Sequence, residues 1–117
     1  MARTFKDDLT RELQDKRFAT GFGTEMAKTD LALLLIAARK AAGITQQELA
    51  ARAGTTQAYI AKLESGGANP TIGKVGELLA LLGFRLTPTL SNLNPYLEAS
   101  LASREPQNIH VAAGKPR

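Results

Sequence analysis

The stretch that decides the fold is Thr45-Gln46-Gln47-Glu48-Leu49-Ala50-Ala51-Arg52-Ala53-Gly54-Thr55-Thr56-Gln57-Ala58-Tyr59-Ile60-Ala61-Lys62-Leu63-Glu64. Thr45 and Glu48 have the spacing of a capping box. The threonine hydroxyl accepts from the third helical N–H, and the glutamate reaches back to the N–H of Thr45. The helix they open turns Leu49, Ala50 and Ala53 inward. It stops at Gly54, whose missing side chain permits a tight turn with positive φ. Thr56 caps a second helix with Ile60 and Leu63 inward, closed by Ser65-Gly66-Gly67. Gln57, Ala58, Ala61 and Lys62 then share the face opposite Ile60 and Leu63. Two short helices about a tight turn, the second with a polar and small outer face, form a helix-turn-helix candidate.

Working outward, Leu31, Leu34, Leu35, Ala38 and Ala42 keep helical spacing up to Gly43, with a start at Thr29 or Asp30, or nearer Thr24. After Asn69-Pro70, Thr71 caps another helix with Ile72, Val75, Leu78, Leu79 and Leu82 inward, ending at Gly83. The period then changes, because Phe84, Leu86 and Pro88 alternate with Arg85, Thr87 and Thr89. A short strand is expected over Phe84–Leu90, confined to an edge by Pro88, which has no N–H for a ladder. No second strand candidate occurs, so a second copy of the chain is its expected partner. Asn94-Pro95 reads as a cap and first helical residue, with Tyr96, Leu97 and Leu101 able to pack and a helix running to about Arg104. Upstream, Phe5, Leu9 and Leu13 predict a short amphipathic helix, followed by a glycine-broken loop over Arg17-Phe18-Ala19-Thr20-Gly21-Phe22-Gly23. The expected fold is all-α: a compact bundle of four to five helices containing the helix-turn-helix. Its expected parts are an N-terminal extension (1–30), the helix-turn-helix domain (31–83), a dimerising strand and short helix (84–104) and a flexible tail (105–117).

A chain of 117 residues, 44% hydrophobic and 22% charged, fits one globular domain. It has no cysteine, which excludes disulfides and Cys-based zinc sites and fits a reducing compartment. The longest apolar run, Leu31–Ala38, is far short of the roughly 20 residues that span a bilayer. Met1–Asp15 mixes both charge signs, so no signal peptide, no membrane partner and a cytoplasmic location are expected. The net charge of +4 is unevenly placed. Residues 1–30 cancel, whereas 39–74 set Arg39, Lys40, Arg52, Lys62 and Lys74 against Glu48 and Glu64, a basic segment suited to a polyanion. Nothing points to catalysis, a metal or a cofactor: the single histidine, His110, lies in the polar tail without neighbouring carboxylates or hydroxyls, and Gly21-Phe22-Gly23 lacks the rest of a phosphate-binding loop.

The run Arg39-x3-Gly43-Ile44-Thr45-Gln46-Gln47-Glu48-Leu49-Ala50-x3-Gly54-Thr55-Thr56-Gln57-x2-Ile60-x3-Glu64-x-Gly66-x2-Asn69-Pro70-Thr71 resembles the phage-repressor-like helix-turn-helix family, also called the XRE or Cro/cI family. The resemblance covers Leu31 to Gly83. Within that family the chain looks most like antitoxins of the HigA and HipB types, through the extension containing Arg17-Phe18 and the segment Leu81-Leu82-Gly83-Phe84-Arg85-Leu86.

The resemblance implies a homodimer that binds an inverted-repeat operator in double-stranded DNA and represses transcription. The second helix of the motif would meet the major groove with Gln57, Ala58, Ala61 and Lys62. Gln57 is suited to adenine N6 and N7, Lys62 to guanine O6 or N7, and Ala58 to a thymine methyl. Gln46 resembles the family's phosphate-contacting glutamine. Arg52, Tyr59, Ser65, Asn69 and Lys74 flank the groove helix as further phosphate candidates. Arg39 and Glu64 match a pair that the family uses as a structural salt bridge. Phe84, Arg85 and Leu86 would supply the dimer strand. The antitoxin likeness implies neutralisation of a ribonuclease toxin encoded by an adjacent gene. Phe5, Leu9, Leu13, Phe18 and Phe22 would contact that toxin, or else pack on the chain's own core or dimer mate. The alternatives are a standalone regulator of the same family and a protein-interaction module that keeps the fold without binding DNA.

Overall fold

The computed structural model describes residues 2–97. Among them are five α-helices, α1 (Phe5–Glu12), α2 (Lys16–Ala42), α3 (Gln46–Ala53), α4 (Gln57–Glu64) and α5 (Ile72–Leu81), and a 3-10 turn at Pro95–Leu97. The all-α expectation holds for this part of the chain. The expected tail (105–117), the helix continuing to Arg104, and His110 lie outside the described residues.

The chain divides into two compact units. One is Thr24–Leu86, whose core joins Leu35 and Ala38 of α2, Leu49 and Ala50 of α3, Ile60 and Leu63 of α4, and Val75, Leu78, Leu79 and Leu82. Leu49 and Ile60 are wholly buried, one from each helix of the motif, so truncating either to alanine should cost about 2 to 5 kcal/mol. Local caps set the helix starts. Thr45 accepts from Glu48 N–H, and the Glu48 carboxylate accepts from Thr45 N–H, completing the box. Thr56 and Thr71 accept from Tyr59 N–H and Lys74 N–H. Gly54 ends α3 at φ 67°, in the left-handed region. The inward pattern departs from expectation at the margins: Leu34, Ala42 and Ile72 are exposed, and Ala32 is buried instead.

The other unit combines the described residues up to Gly23 with those from Thr87. Thr4 and Asp7 form a second capping box at the start of α1. The Asn94 amide, buried in this unit, donates to Thr10 Oγ1 at 2.9 Å and accepts from Tyr96 N–H at 3.0 Å. The Phe5 and Tyr96 rings meet edge to face with centroids 6.3 Å apart, a favoured aromatic geometry.

Two expectations need correction. The glycine-broken loop over 17–23 is helical, for α2 starts at Lys16 and continues without a break to Ala42. Asp15 Oδ1 accepts from the N–H groups of Arg17 and Phe18 at 2.8 and 3.3 Å and so caps the start. The rings of Phe18 and Phe22 stack with centroids 6.0 Å apart. Each helical glycine costs about 1 kcal/mol relative to alanine, a penalty that a cap and an i,i+4 contact help to offset. The expected strand over Phe84–Leu90 is absent, and no strand occurs among the described residues. A strand exists only through its ladder, and this segment has no partner strand among the described residues. Leu86 instead packs on the core of its own unit, and Phe84 N–H closes the end of α5 on Leu79 O at 2.8 Å. No helix among the described residues is long and apolar enough to cross a membrane.

Candidate nucleic-acid interface

The helix-turn-helix presents α4 as a two-faced element. Ile60 and Leu63 are buried on one side. On the other, Gln57, Ala58 and Lys62 are exposed and Ala61 is half-buried. This division follows from the helical period: residues three or four apart share a face, so anchoring 60 and 63 turns 57, 58, 61 and 62 outward. Alanine at 58 and 61 keeps this surface low, which lets another surface approach the helix backbone closely.

Behind this face lies a chain of polar contacts. Arg39, on α2, donates from Nε to Glu64 Oε2 at 2.6 Å and from Nη2 to Glu64 Oε1 at 2.9 Å. Its third arm, Nη1, donates to the Ile44 carbonyl at 2.8 Å. One guanidinium thus ties the end of α4 and the α2–α3 connection to α2. The side chains are only 12% and 5% exposed, a setting in which a fork-to-fork pair is both strong and demanding of full satisfaction. No buried side-chain polar atom among the described residues lacks a partner.

Burial pushes the Glu64 carboxyl upward. The hydrogen bonds from Arg39 and Gln46, helped by the charges of Arg39 and Lys40, outweigh that and hold its pKa below the ordinary carboxylate value. The hydrogen bond to Glu64 holds the Arg39 guanidinium above its ordinary value, against the opposing effect of burial. Both partners are therefore charged at neutral pH.

The chain continues to the outer face. Gln46 Nε2 donates to Glu64 Oε1 at 2.9 Å, and Gln57 Nε2 donates to Gln46 Oε1 at 2.7 Å. Gln46 and Gln57 are the first residues of α3 and α4, so two helix N-termini, with their unpaired N–H groups, meet at this pair. Arg39, Gly43, Ile44, Thr45, Gln46, Gln47 and Gln57 line an open depression beside them. Such a depression, bordered by amide donors and helix starts, suits an anion.

The remaining site candidates scatter around this centre. Arg52, Ser65 and Asn69 are exposed. Ser65 Oγ donates to the Lys62 carbonyl at 2.9 Å. Lys74 pairs with Glu77 at 3.3 Å across one turn of α5. Tyr59 is half-buried and packs against the core. Of the apolar series upstream, Phe5 and Phe18 are exposed, Leu13 and Phe22 half-buried, and Leu9 buried, so Leu9 serves packing and offers no contact surface. Phe84 and Arg85 are exposed, unlike Leu86.

Sequence reasoning left out the links from Glu64 to Gln46 and from Gln46 to Gln57. The one available signal was two glutamines at the first positions of adjoining helices, eleven residues apart.

Comparison with known proteins agrees with this geometry. The helix-turn-helix family profile matches residues 35–88, which span the ion pair, both motif helices and α5. The uncharacterized HTH-type transcriptional regulator y4dJ of Sinorhizobium fredii is 42% identical over 55 residues, covering 44% of this chain and 71% of that protein. No solved structure matches the chain. With the motif, its caps and the Arg39–Glu64 tie in place, the chain belongs to the phage-repressor-like (XRE-type) helix-turn-helix family.

Proposed function

We propose that the protein is a sequence-specific DNA-binding transcriptional repressor that acts as a homodimer on an inverted-repeat operator. The observation that carries this reading is the two-faced α4, with Ile60 and Leu63 in the core and Gln57, Ala58, Ala61 and Lys62 outward. In this reading α4 lies in the major groove and those four residues meet base edges. Gln46, Arg52, Tyr59, Ser65, Asn69 and Lys74 meet phosphates, and Arg39 with Glu64 holds the helices in register. Half-sites about 34 to 36 Å apart match one turn of DNA and two copies of the motif. Exposed Phe84 and Arg85 are assigned to the contact between copies. The work is binding, without a cofactor, in the cytoplasm.

The test is selection from a random duplex library followed by a salt titration. An inverted repeat should emerge, and affinity should fall steeply with salt as phosphate contacts release counterions. No enrichment, or binding indifferent to salt, would leave a protein-interaction module.

We further infer an antitoxin role, in which this chain restrains a ribonuclease toxin encoded by an adjacent gene and represses their shared promoter. It is supported by exposed aromatic surface outside the helix-turn-helix, Phe5 at 69% and Phe18 at 37%. Expression of the neighbouring open reading frame should arrest growth, this chain should relieve the arrest, and the two should copurify. A harmless neighbour with no complex would leave a standalone repressor.

A further inference from the structure

The outer side of α2 carries a second apolar line within the unit that holds the helix-turn-helix. Met26, Asp30, Leu33, Ala37 and Lys40 are spaced four, three, four and three residues apart. That repeat keeps side chains in one row along a helix, and paired helices use it as their seam. All five are exposed, Met26 at 39% and Leu33 at 59%. Leu35 and Ala38 point the other way, into the core, so the row is left over once α2 has packed on its own unit. Asp30 and Lys40 have no ion-pair partner among the described residues.

The order of charge and size along the row selects what covers it. Two copies of α2 laid antiparallel, with a two-fold axis level with residue 35, bring Leu33 of one copy onto Ala37 of the other and Asp30 onto Lys40. Each contact then occurs twice, as a two-fold interface requires. Large meets small at the centre and opposite charges meet at the flanks. A parallel pair would instead set Asp30 against Asp30 and Lys40 against Lys40. We propose that this row of α2 is an antiparallel interface between two copies of the chain. It shares no residue with Phe84 and Arg85, so the two contacts together join dimers into tetramers and bring four groove helices into one assembly. The row is about 20 Å long, short for a stable interface, so the association it drives is concentration-dependent. The argument does not depend on α4 reading DNA.

The test uses the full chain, which has no native cysteine. A disulfide needs Cα atoms within about 7 Å. Leu33→Cys and Ala37→Cys should therefore link to each other when mixed and oxidised, at least about ten-fold more than either links to itself. In sedimentation, Leu33→Glu should halve the mass of the largest species, whether from tetramer to dimer or from dimer to monomer. Asp30→Lys and Lys40→Asp should each weaken association at least about five-fold, and their equimolar mixture should restore it. Each cysteine variant linking to itself as readily as to the other would overturn the antiparallel pairing. Failure to link, with unchanged mass in Leu33→Glu, would overturn the interface. Linking that is absent from the chain alone and replaced by a contact with the product of the adjacent gene would assign the row to that partner and overturn it too. All of these outcomes leave the DNA reading untouched.

Discussion

Gln46 Nε2 and Arg39 Nη2 donate to the same oxygen of Glu64, Oε1, each at 2.9 Å. A single carboxylate therefore closes the ion pair that ties α4 to α2 and anchors the amide that faces Gln57. Removing either ionic partner leaves the other charge with little water, since both side chains are nearly buried. Arg39→Met should lower unfolding free energy by on the order of 3 kcal/mol, measured by chemical denaturation. A loss below about 1 kcal/mol would mean that water replaces the guanidinium without penalty.

The same pair gives stability an acid limit. Glu64 has a folded pKa below its ordinary value, so its contribution is complete above the unfolded pKa of about 4.3 and fades as pH falls through the folded value. Arg39 stays charged throughout, its pKa being raised. The stability gap between wild type and Glu64→Gln should be widest near neutral pH and narrow below about pH 4. Thermal melts of both across that range check it, and a constant gap would assign the loss to shape alone.

Gly54 sits at φ 67°, and nothing lies within 4 Å of where a Cβ would be. The penalty for a side chain there is torsional, without a steric clash against neighbours. Gly54→Ala should cost about 1 to 2 kcal/mol, and Gly54→Asn less, because asparagine tolerates the left-handed region better. Equal melting temperatures for the two variants would count against a torsional origin.

On DNA the two kinds of contact should separate by their salt behaviour. Lys74→Ala should weaken all sequences alike and reduce the salt slope by about 1, whereas Gln57→Ala should flatten preference at one base pair and leave the slope nearly unchanged. Titrations of operator and scrambled duplex at several salt concentrations distinguish them. Uniform losses on every sequence for both variants would remove Gln57 from the reading role.

What the sequence made legible was local. The Thr45–Glu48 box, the caps at Thr56 and Thr71 and the turn at Gly54 each depend on residues within four positions, and each is found where the spacing puts it. Ile72 obeyed the same period yet is 66% exposed, because it opens α5 and lies beyond the edge of the packed stripe. Gly21 and Gly23 hid the continuity of α2, whose support from Asp15 and from the Phe18–Phe22 stack leaves no periodic mark. The alternation from Phe84 read as a strand although the described residues hold no partner strand for it. The Gln46–Gln57 contact was invisible for another reason, since it depends on the angle at which two helices meet and not on spacing along either.

The two faces of α4 also set the terms on which such a protein can change over generations. Ala58 and Lys62 are exposed and lie outside the core cluster, so substitutions there can reshape the outer face of α4 without first weakening the fold. Position 57 has less liberty, because its amide is matched to that of Gln46. A new residue at either place asks for a change at the other, and lineages with different targets should differ at 46 and 57 together more often than at either alone.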